Sequence, residues 1–325
     1  MIAQTTIGHQ DRHLPVILFF VLIVIIIVIL LVLLLLPLSQ QEERVSADND
    51  DARRAYWTTQ MEAAYAFMMV VRDCPVAECG EPLVPLKPAS EEAGVAVAFS
   101  QSKVARDFDR LFFLRVGLIE AFLAAAREIL ERGWILKVED GFRTREIQRL
   151  LALKPEVFDR ILERTIGELG GRMPSPELVF RRVTVLVATM PKVGTHMSGS
   201  AIDVSVLDRA SGAEIDRGGP YLEMSELTPM GAPFISETAR RNRREITGLM
   251  ARHGFVAYPY EFWHYSQGDA FAVQLGVIHP PARYGAVDAD LATGRTTAIE
   301  NPGEWLNSVD VIESEMNAAL RRLRA

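Results

Sequence analysis

The sequence contains little of what several protein classes require. Its two cysteines cannot by themselves complete a four-ligand zinc site. It has no internal repeat, which excludes repeat architectures. Its formal net charge of −7 argues against nucleic acid as a partner, because phosphate binding requires a surplus of lysine and arginine. The 49% apolar and 24% charged residues are otherwise typical of a globular protein.

One apolar run is exceptionally long. No charged residue occurs from Leu14 to Leu38, and roughly 20 helical residues suffice to cross a membrane. A core helix is rarely so long without a polar position. A signal peptide would have a shorter apolar core followed by a cleavage site of small residues, and residues 36–40 contain no such site. We therefore expect an uncleaved transmembrane anchor at residues 14–38, after a tail of residues 1–13. The flanking arginines do not fix its orientation.

Residues 39–106 are interpreted as a spacer with a short helix and a cysteine loop. The segment begins polar and acid-rich, and the helix is predicted over residues 55–71. Cys74 and Cys79 follow, and they could close a small loop as a disulfide if the domain faces an oxidising compartment. Two unrelated thiols are the alternative.

The main domain is predicted at residues 107–270, with an α+β fold. A helical apolar pattern runs from Leu111 to Ile129. The strand candidate WILKV follows and leads into a turn that carries Arg143, and Thr144 can cap the next helix.

The second half of this domain contains further strand candidates. VTVLVA at residues 183–188 is interpreted as a strand, and alternation in AIDVSV places apolar side chains on one face and Asp203 on the other. A helix is predicted from Ser236 to Arg252, followed by aromatic-rich strands interrupted at Pro259. Residues 271–325 are expected to form a C-terminal tail that ends in an amphipathic helix.

Two histidines and one aspartate are candidate metal ligands. Imidazole and carboxylate suit Zn²⁺, and a hydrolytic zinc keeps three protein ligands and one open position. His196 and Asp203 lie in GTHMSGSAIDVSV, and His264 in EFWHY is the leading third candidate. Glu261 is a nearby carboxylate that could act as general base. Residues three apart point oppositely on a strand, so we expect a turn or bulge at Glu261.

The segments GFRT at 141, HMSGSAID at 196 and EFWHY at 261 resemble, in order and spacing, the signatures of the zinc D-alanyl-D-alanine dipeptidases. This family is related to D,D-carboxypeptidases and the hedgehog signalling domain, and the resemblance covers about residues 107–268. It implies a hedgehog/D,D-peptidase-like α+β fold with a small antiparallel sheet and flanking helices, here preceded by one transmembrane helix.

The resemblance also implies roles for individual residues. His196, Asp203 and His264 match the zinc ligands, Glu261 matches the catalytic base, and Arg143 matches the arginine that stabilises charge on the scissile carbonyl.

Three positions depart from the family pattern. Gly194 and Thr144 stand where the family commonly has serine and proline. The acidic residue that holds the substrate ammonium has no clean match, because Leu222 occupies its place and Glu223 is one position off.

These observations predict a membrane-anchored zinc metallopeptidase of the dipeptidase type that hydrolyses D-Ala-D-Ala type bonds in peptidoglycan peptides. One alternative is a D,D-carboxypeptidase that acts on longer stem peptides, and another is a non-catalytic, zinc-containing binding module. The expected location is the bacterial inner (plasma) membrane, with a single membrane pass and the catalytic domain outside the cytoplasm. The expected partners are a D-Ala-D-Ala-containing peptide and the membrane, with no nucleic acid.

Overall fold

The computed structural model describes residues 49–324. Most of the described chain, residues 54–324, forms the larger of the two units into which the chain divides. The predicted anchor at residues 14–38 lies outside the described residues. Within residues 49–324, no helix combines the length and apolar character needed to span a membrane.

The larger unit is an α+β fold. Its helices are α1 (residues 54–72 of a helix described from residue 49), α2 (Leu86–Glu92), α3 (Ile119–Glu131), α4 (Arg145–Leu151), α5 (Pro155–Glu168), α6 (Pro176–Val187), α7 (Glu237–Arg252), α8 (Ala270–Gln274) and α9 (Val309–Arg322). Its strands are β1 (Leu83–Pro85), β2 (Val97–Phe99), β3 (Phe113–Arg115), β4 (Trp134–Asp140), β5 (Ala201–Asp208), β6 (Val256–Ala257), β7 (His264–Ser266), β8 (Val287–Ala289) and β9 (Thr296–Ala298). Short 3₁₀ helices cover Val116–Leu118 and Thr195–Ser198.

The central sheet has five strands in the order β2-β4-β5-β7-β6. β2 pairs with β4 in parallel, and the other pairs are antiparallel. The predicted antiparallel sheet was therefore wrong in one respect, because the sheet is mixed. The parallel pair is possible because α3 lies in the long connection that returns the chain from β2 to β4.

The register of the sheet aligns three polar side chains. Asp140 on β4 is opposite Asp203 on β5, and Asp203 is opposite His264 on β7. A register shift between Val138 and Asp140 marks a β-bulge just before the GFRT turn. Directly opposed residues project to the same face, so the sheet itself brings these three together.

The other face of β5 is apolar, as its alternation predicts. Ile202, Val204 and Val206 pack in one cluster with side chains of α3 and α7. The predicted start of α3 was wrong. Leu111 instead forms a bridge to Phe142, and the helix begins at Ile119.

Helices α4, α5, α6 and α9 form a second apolar cluster. The predicted strand at 183–188 was wrong, because residues up to Val187 belong to α6. Ser175 caps this helix by accepting a hydrogen bond from Leu178 N, and Pro176 occupies its first turn. Val179, Val183 and Val187 then repeat every four residues and are buried, so capping and helical packing override the β-propensity of valine.

The predicted spacer and tail contribute to the fold. Residues 83–99, which were assigned to the spacer, supply β1, α2 and the sheet strand β2, so that assignment was wrong. Within the predicted tail, α9 packs against α5 and α6, and β8 pairs with β9.

The predicted disulfide does not form. Cys74 and Cys79 are both free thiols. Cys74 is buried in an apolar cluster with Met68 and Phe271, whereas Cys79 is exposed, because the chain between them pairs with the tail through a bridge from Val76 to Ala282.

Candidate metal centre

Three elements present the predicted ligands to one point. His196 lies on the 3₁₀ helix before β5, Asp203 is the third residue of β5, and His264 is the first residue of β7. Gly199 ends the 3₁₀ helix with φ of 68°, a left-handed conformation that favours glycine. All three ligands are buried, and their donor atoms lie within 4.8 Å of one another.

The donor atoms converge on one side of Asp203. Its Oδ1 lies 3.2 Å from His196 Nε2 and 3.0 Å from His264 Nδ1. The two imidazole rings are 4.8 Å apart between centroids and nearly perpendicular, at 81°. The predicted metal site is therefore confirmed. Its two nitrogens and one oxygen suit zinc.

In each ligand side chain, the nitrogen or oxygen that faces away from the metal site forms a hydrogen bond with the surrounding protein. His196 Nδ1 lies 2.6 Å from the Gly141 carbonyl oxygen, and His264 Nε2 lies 2.8 Å from Thr195 Oγ1. Asp203 Oδ2 accepts hydrogen bonds from the Tyr221 hydroxyl at 2.9 Å and from Arg143 Nη2 at 3.4 Å. A proton on each outward nitrogen leaves the inward nitrogen free to bind a metal. These residues therefore fit a metal ion.

Burial and neighbouring groups favour the metal-binding protonation state of His196 and of Asp203. Burial lowers the pKa of His196, which favours the neutral imidazole that binds metals. Burial alone would raise the pKa of Asp203, but electrostatic interaction with His196 and hydrogen bonds from both histidines hold that pKa well below its usual value. Asp203 is therefore a carboxylate.

Arg143 is held beside the metal ligands by an aspartate. Its Nε donates to Asp140 Oδ2 at 2.9 Å, and Arg110 Nη1 lies 2.9 Å from the same oxygen. Burial lowers the pKa of Arg143, but the charges of Asp140 and Asp203 outweigh it and raise the pKa above its usual value. A charged guanidinium is thus fixed in the cavity, where the sequence predicts charge stabilisation.

Glu261 lies in the turn between β6 and β7. Tyr258 N donates to the His264 carbonyl at 3.0 Å, and His264 N donates to the Glu261 carbonyl at 3.3 Å. The expected turn is confirmed, and it allows Glu261 to line the same cavity as the three ligands. Burial raises the pKa of Glu261 to about 8. Its role as general base remains a prediction.

Glu223 is not brought to the cavity. Its carboxylate lies 3.8 Å from Arg160, whereas Tyr221, Leu222 and Met224 line the cavity wall. Leu222 has φ of 64°, so the backbone there is left-handed and presents Leu222 to the cavity.

Sequence reasoning missed the residues that orient the ligands. Asp140, Tyr221, Thr195 and the Gly141 carbonyl contact Arg143 or a metal ligand. Only Asp140 has a sequence signal, since it ends a strand three residues before Arg143. Tyr221 is distant along the chain, so no local pattern identifies it.

Comparisons with known proteins match this region. A family model described as D-Ala-D-Ala dipeptidase matches residues 172–280. A D-alanyl-D-alanine dipeptidase of Synechocystis sp. is 27% identical over 245 residues, which are 66% of this chain and 95% of that protein. One from Enterococcus faecium is 35% identical over 151 residues, which are 46% of this chain and 69% of that protein.

Among solved structures, a mutant of the vancomycin-resistance D,D-pentapeptidase VanY in complex with Zn(II) is similar, with 14% identity and a TM-score of 0.30. The match covers 55% of this chain and 92% of that one. A TM-score this low does not establish a common fold.

Proposed function

The chain belongs to the D-Ala-D-Ala dipeptidase family, and on that premise we propose that it is a zinc enzyme that hydrolyses D-Ala-D-Ala type bonds in peptidoglycan peptides. The observation that carries the proposal is the convergence of His196, Asp203 and His264 in the cavity that also contains Glu261 and Arg143.

Six polar residues of the cavity have a defined part in this proposal. His196, Asp203 and His264 would hold zinc, which when bound supplies a Lewis acid that polarises a carbonyl and lowers the pKa of a water molecule. Glu261 accepts a proton from the attacking water and returns it to the leaving amine. The Arg143 guanidinium offsets the negative charge that develops on the scissile carbonyl oxygen. Tyr221 keeps Asp203 oriented through its hydroxyl.

A substitution of the base tests the proposal. Glu261→Gln removes the proton acceptor but preserves the size of the side chain and all three ligands, so we expect zinc content to stay unchanged while D-Ala-D-Ala hydrolysis falls at least about a hundredfold. Zinc content and turnover would be measured on the same preparations, with His264→Ala as the control that loses metal. A wild-type protein that binds zinc but hydrolyses no D,D-peptide would instead support the non-catalytic binding module.

A D,D-carboxypeptidase that acts on longer stem peptides is the second candidate. The free dipeptide carries an ammonium group next to the scissile bond. Apart from Glu261, the proposed base, the cavity offers that ammonium no unengaged carboxylate among the described residues. Asp140 is paired with two arginines, Asp203 with both histidines, and Glu223 faces Arg160. In a longer peptide an amide replaces that ammonium. Parallel assays with the free dipeptide and a pentapeptide stem would distinguish the two activities.

We also propose that residues 14–38 anchor the enzyme in the bacterial plasma membrane, with the catalytic unit outside the cytoplasm. The support is the uncharged run of apolar residues and the location of peptidoglycan, the proposed substrate. Alkaline extraction of membranes tests the anchor, and release of the full-length protein into the soluble fraction would contradict it. Protease accessibility in intact spheroplasts tests the orientation, and protection of the catalytic unit would contradict an outward location.

A further inference from the structure

A row of cavity-lining side chains follows Arg143 along the sequence. Gln148, Leu151, Lys154 and Val157 follow one another at intervals of three residues, and all four line the cavity. Gln148 is the member nearest the reacting groups, because its Oε1 lies 3.4 Å from Arg143 Nη1. Lys154 lies three residues beyond the end of α4.

Lys154 is the cation of this cavity that lacks a carboxylate partner. Within residues 49–324, no acidic side chain forms an ion pair with it, and its ammonium contacts only the Val104 carbonyl oxygen, at a long 3.5 Å. By contrast, Arg110 and Arg143 share Asp140. Lys154 therefore retains hydrogen-bond donors for an anion in the cavity.

We propose that Lys154 binds the terminal carboxylate of the peptide substrate. This inference rests on the proposed function, because a D-Ala-D-Ala end carries a carboxylate one residue beyond the scissile bond, or about 3.5 Å of extended chain. With the scissile carbonyl at Arg143, that carboxylate extends along the row, and the flexible lysine stem can reach back towards it. Leu151, between Gln148 and Lys154, offers an apolar contact for the terminal methyl group.

Changing Lys154 removes one long hydrogen bond, to the Val104 carbonyl oxygen, and no ion pair among the described residues. It precedes α5, but its side chain does not cap that helix. Lys154→Met keeps a long side chain and removes the charge, and Lys154→Arg restores a charge. Lys103→Met is the matched control, because Lys103 is half-exposed and pairs with Asp109 outside the cavity.

The experiment compares a D-Ala-D-Ala peptide with the same peptide carrying a terminal carboxamide. For the carboxylate substrate we expect Lys154→Met to raise KM about ten- to a hundredfold with little change in kcat, and Lys154→Arg to recover most of the loss. For the carboxamide, Lys154→Met and wild type should have the same KM. Lys103→Met should behave as wild type with both substrates. Equal effects of Lys154→Met on the two substrates, or no effect on either, would overturn the proposal.

Binding to inactive protein separates this inference from the proposed activity. Calorimetric titration of the carboxylate peptide into zinc-loaded Glu261→Gln and into Glu261→Gln with Lys154→Met requires no turnover. We expect the second protein to bind at least about tenfold more weakly. Equal affinity would overturn the role of Lys154 even if the enzyme is active. Weaker binding alongside an inactive wild type would refute the proposed hydrolysis but leave Lys154 as a carboxylate-binding residue.

Discussion

The contact between Thr195 and His264 gives the sharpest test of the metal centre. Thr195 Oγ1 lies 2.8 Å from His264 Nε2, and both side chains are buried. When Nδ1 binds a metal, the ring proton resides on Nε2 and the threonine hydroxyl accepts it. Thr195→Val removes that acceptor but keeps a branched side chain, so the change is directed at the orientation and protonation of one ligand.

The expected loss of zinc affinity in Thr195→Val follows from the burial of the His264 Nε2–H group, which is left without an acceptor. A buried donor left without an acceptor costs about 1 to 3 kcal/mol. In the metal-free protein His264 still has its contact with Asp203 at 3.0 Å, so the cost falls mainly on the metal-bound state. We therefore expect zinc affinity to fall about ten- to a hundredfold, which matches the usual effect of losing such an orienting contact.

A competition titration with a chromogenic chelator measures this affinity directly. Thr184→Val is the matched control, because the Thr184 hydroxyl is also buried but contacts only the Phe180 carbonyl at 2.9 Å and Thr189 Oγ1 at 2.8 Å. It should lower the free energy of unfolding while leaving the zinc dissociation constant unchanged. Wild-type zinc affinity in Thr195→Val, or an equal loss in Thr184→Val, would refute the reasoning.

Two further substitutions test the backbone of the site and its specificity. A Cβ at Gly141 would lie 2.6 Å from the Leu111 carbonyl oxygen, so Gly141→Ala should lower the free energy of unfolding, measured in urea, by about 1 to 3 kcal/mol. Gly167→Ala in α5 is the control, because its Cβ meets no atom within 4 Å and the change should raise the free energy of unfolding by about 0.5 to 1 kcal/mol. Equal values for the two variants would contradict the crowding argument. Leu222→Asp places a carboxylate in the cavity, at a left-handed backbone position that aspartate tolerates. Because this carboxylate can bind the ammonium of free D-Ala-D-Ala, kcat/KM for the free dipeptide relative to kcat/KM for its N-acetyl derivative should rise about tenfold. An unchanged ratio would show that this wall does not meet the amino end of the substrate.

Sequence patterns predicted the parts of the site that depend on local signals. Alternation along β5 identified the face that carries Asp203, and the hydroxyls of Thr144 and Ser236 cap the helices predicted to follow them. The ligand motifs indicated His196 and His264, which the β5–β7 register and the 3₁₀ helix bring together.

The errors arose where distant contacts or an unusual backbone decide the outcome. β2 joins the sheet through its pairing with β4, which its short sequence does not indicate. Residues up to Val187 are helical because of the Ser175 cap and burial against other helices. Glu223 was selected by its distance along the chain, but the positive φ at Leu222 changes which side chain faces the cavity.

The metal centre depends on residues on both sides of the segment that the family model matches. Arg115 is fully buried and donates to the Ser198 carbonyl at 2.5 Å, which ties it to the turn that carries His196. The same guanidinium donates to the carbonyl oxygens of Glu81 at 2.7 Å and Gly285 at 3.2 Å, and Gly285 lies in the predicted tail. Because one arginine joins the His196 turn to both the predicted spacer and the tail, truncation to residues 107–270 would remove partners of a buried charge. The catalytic unit must therefore include these flanking segments.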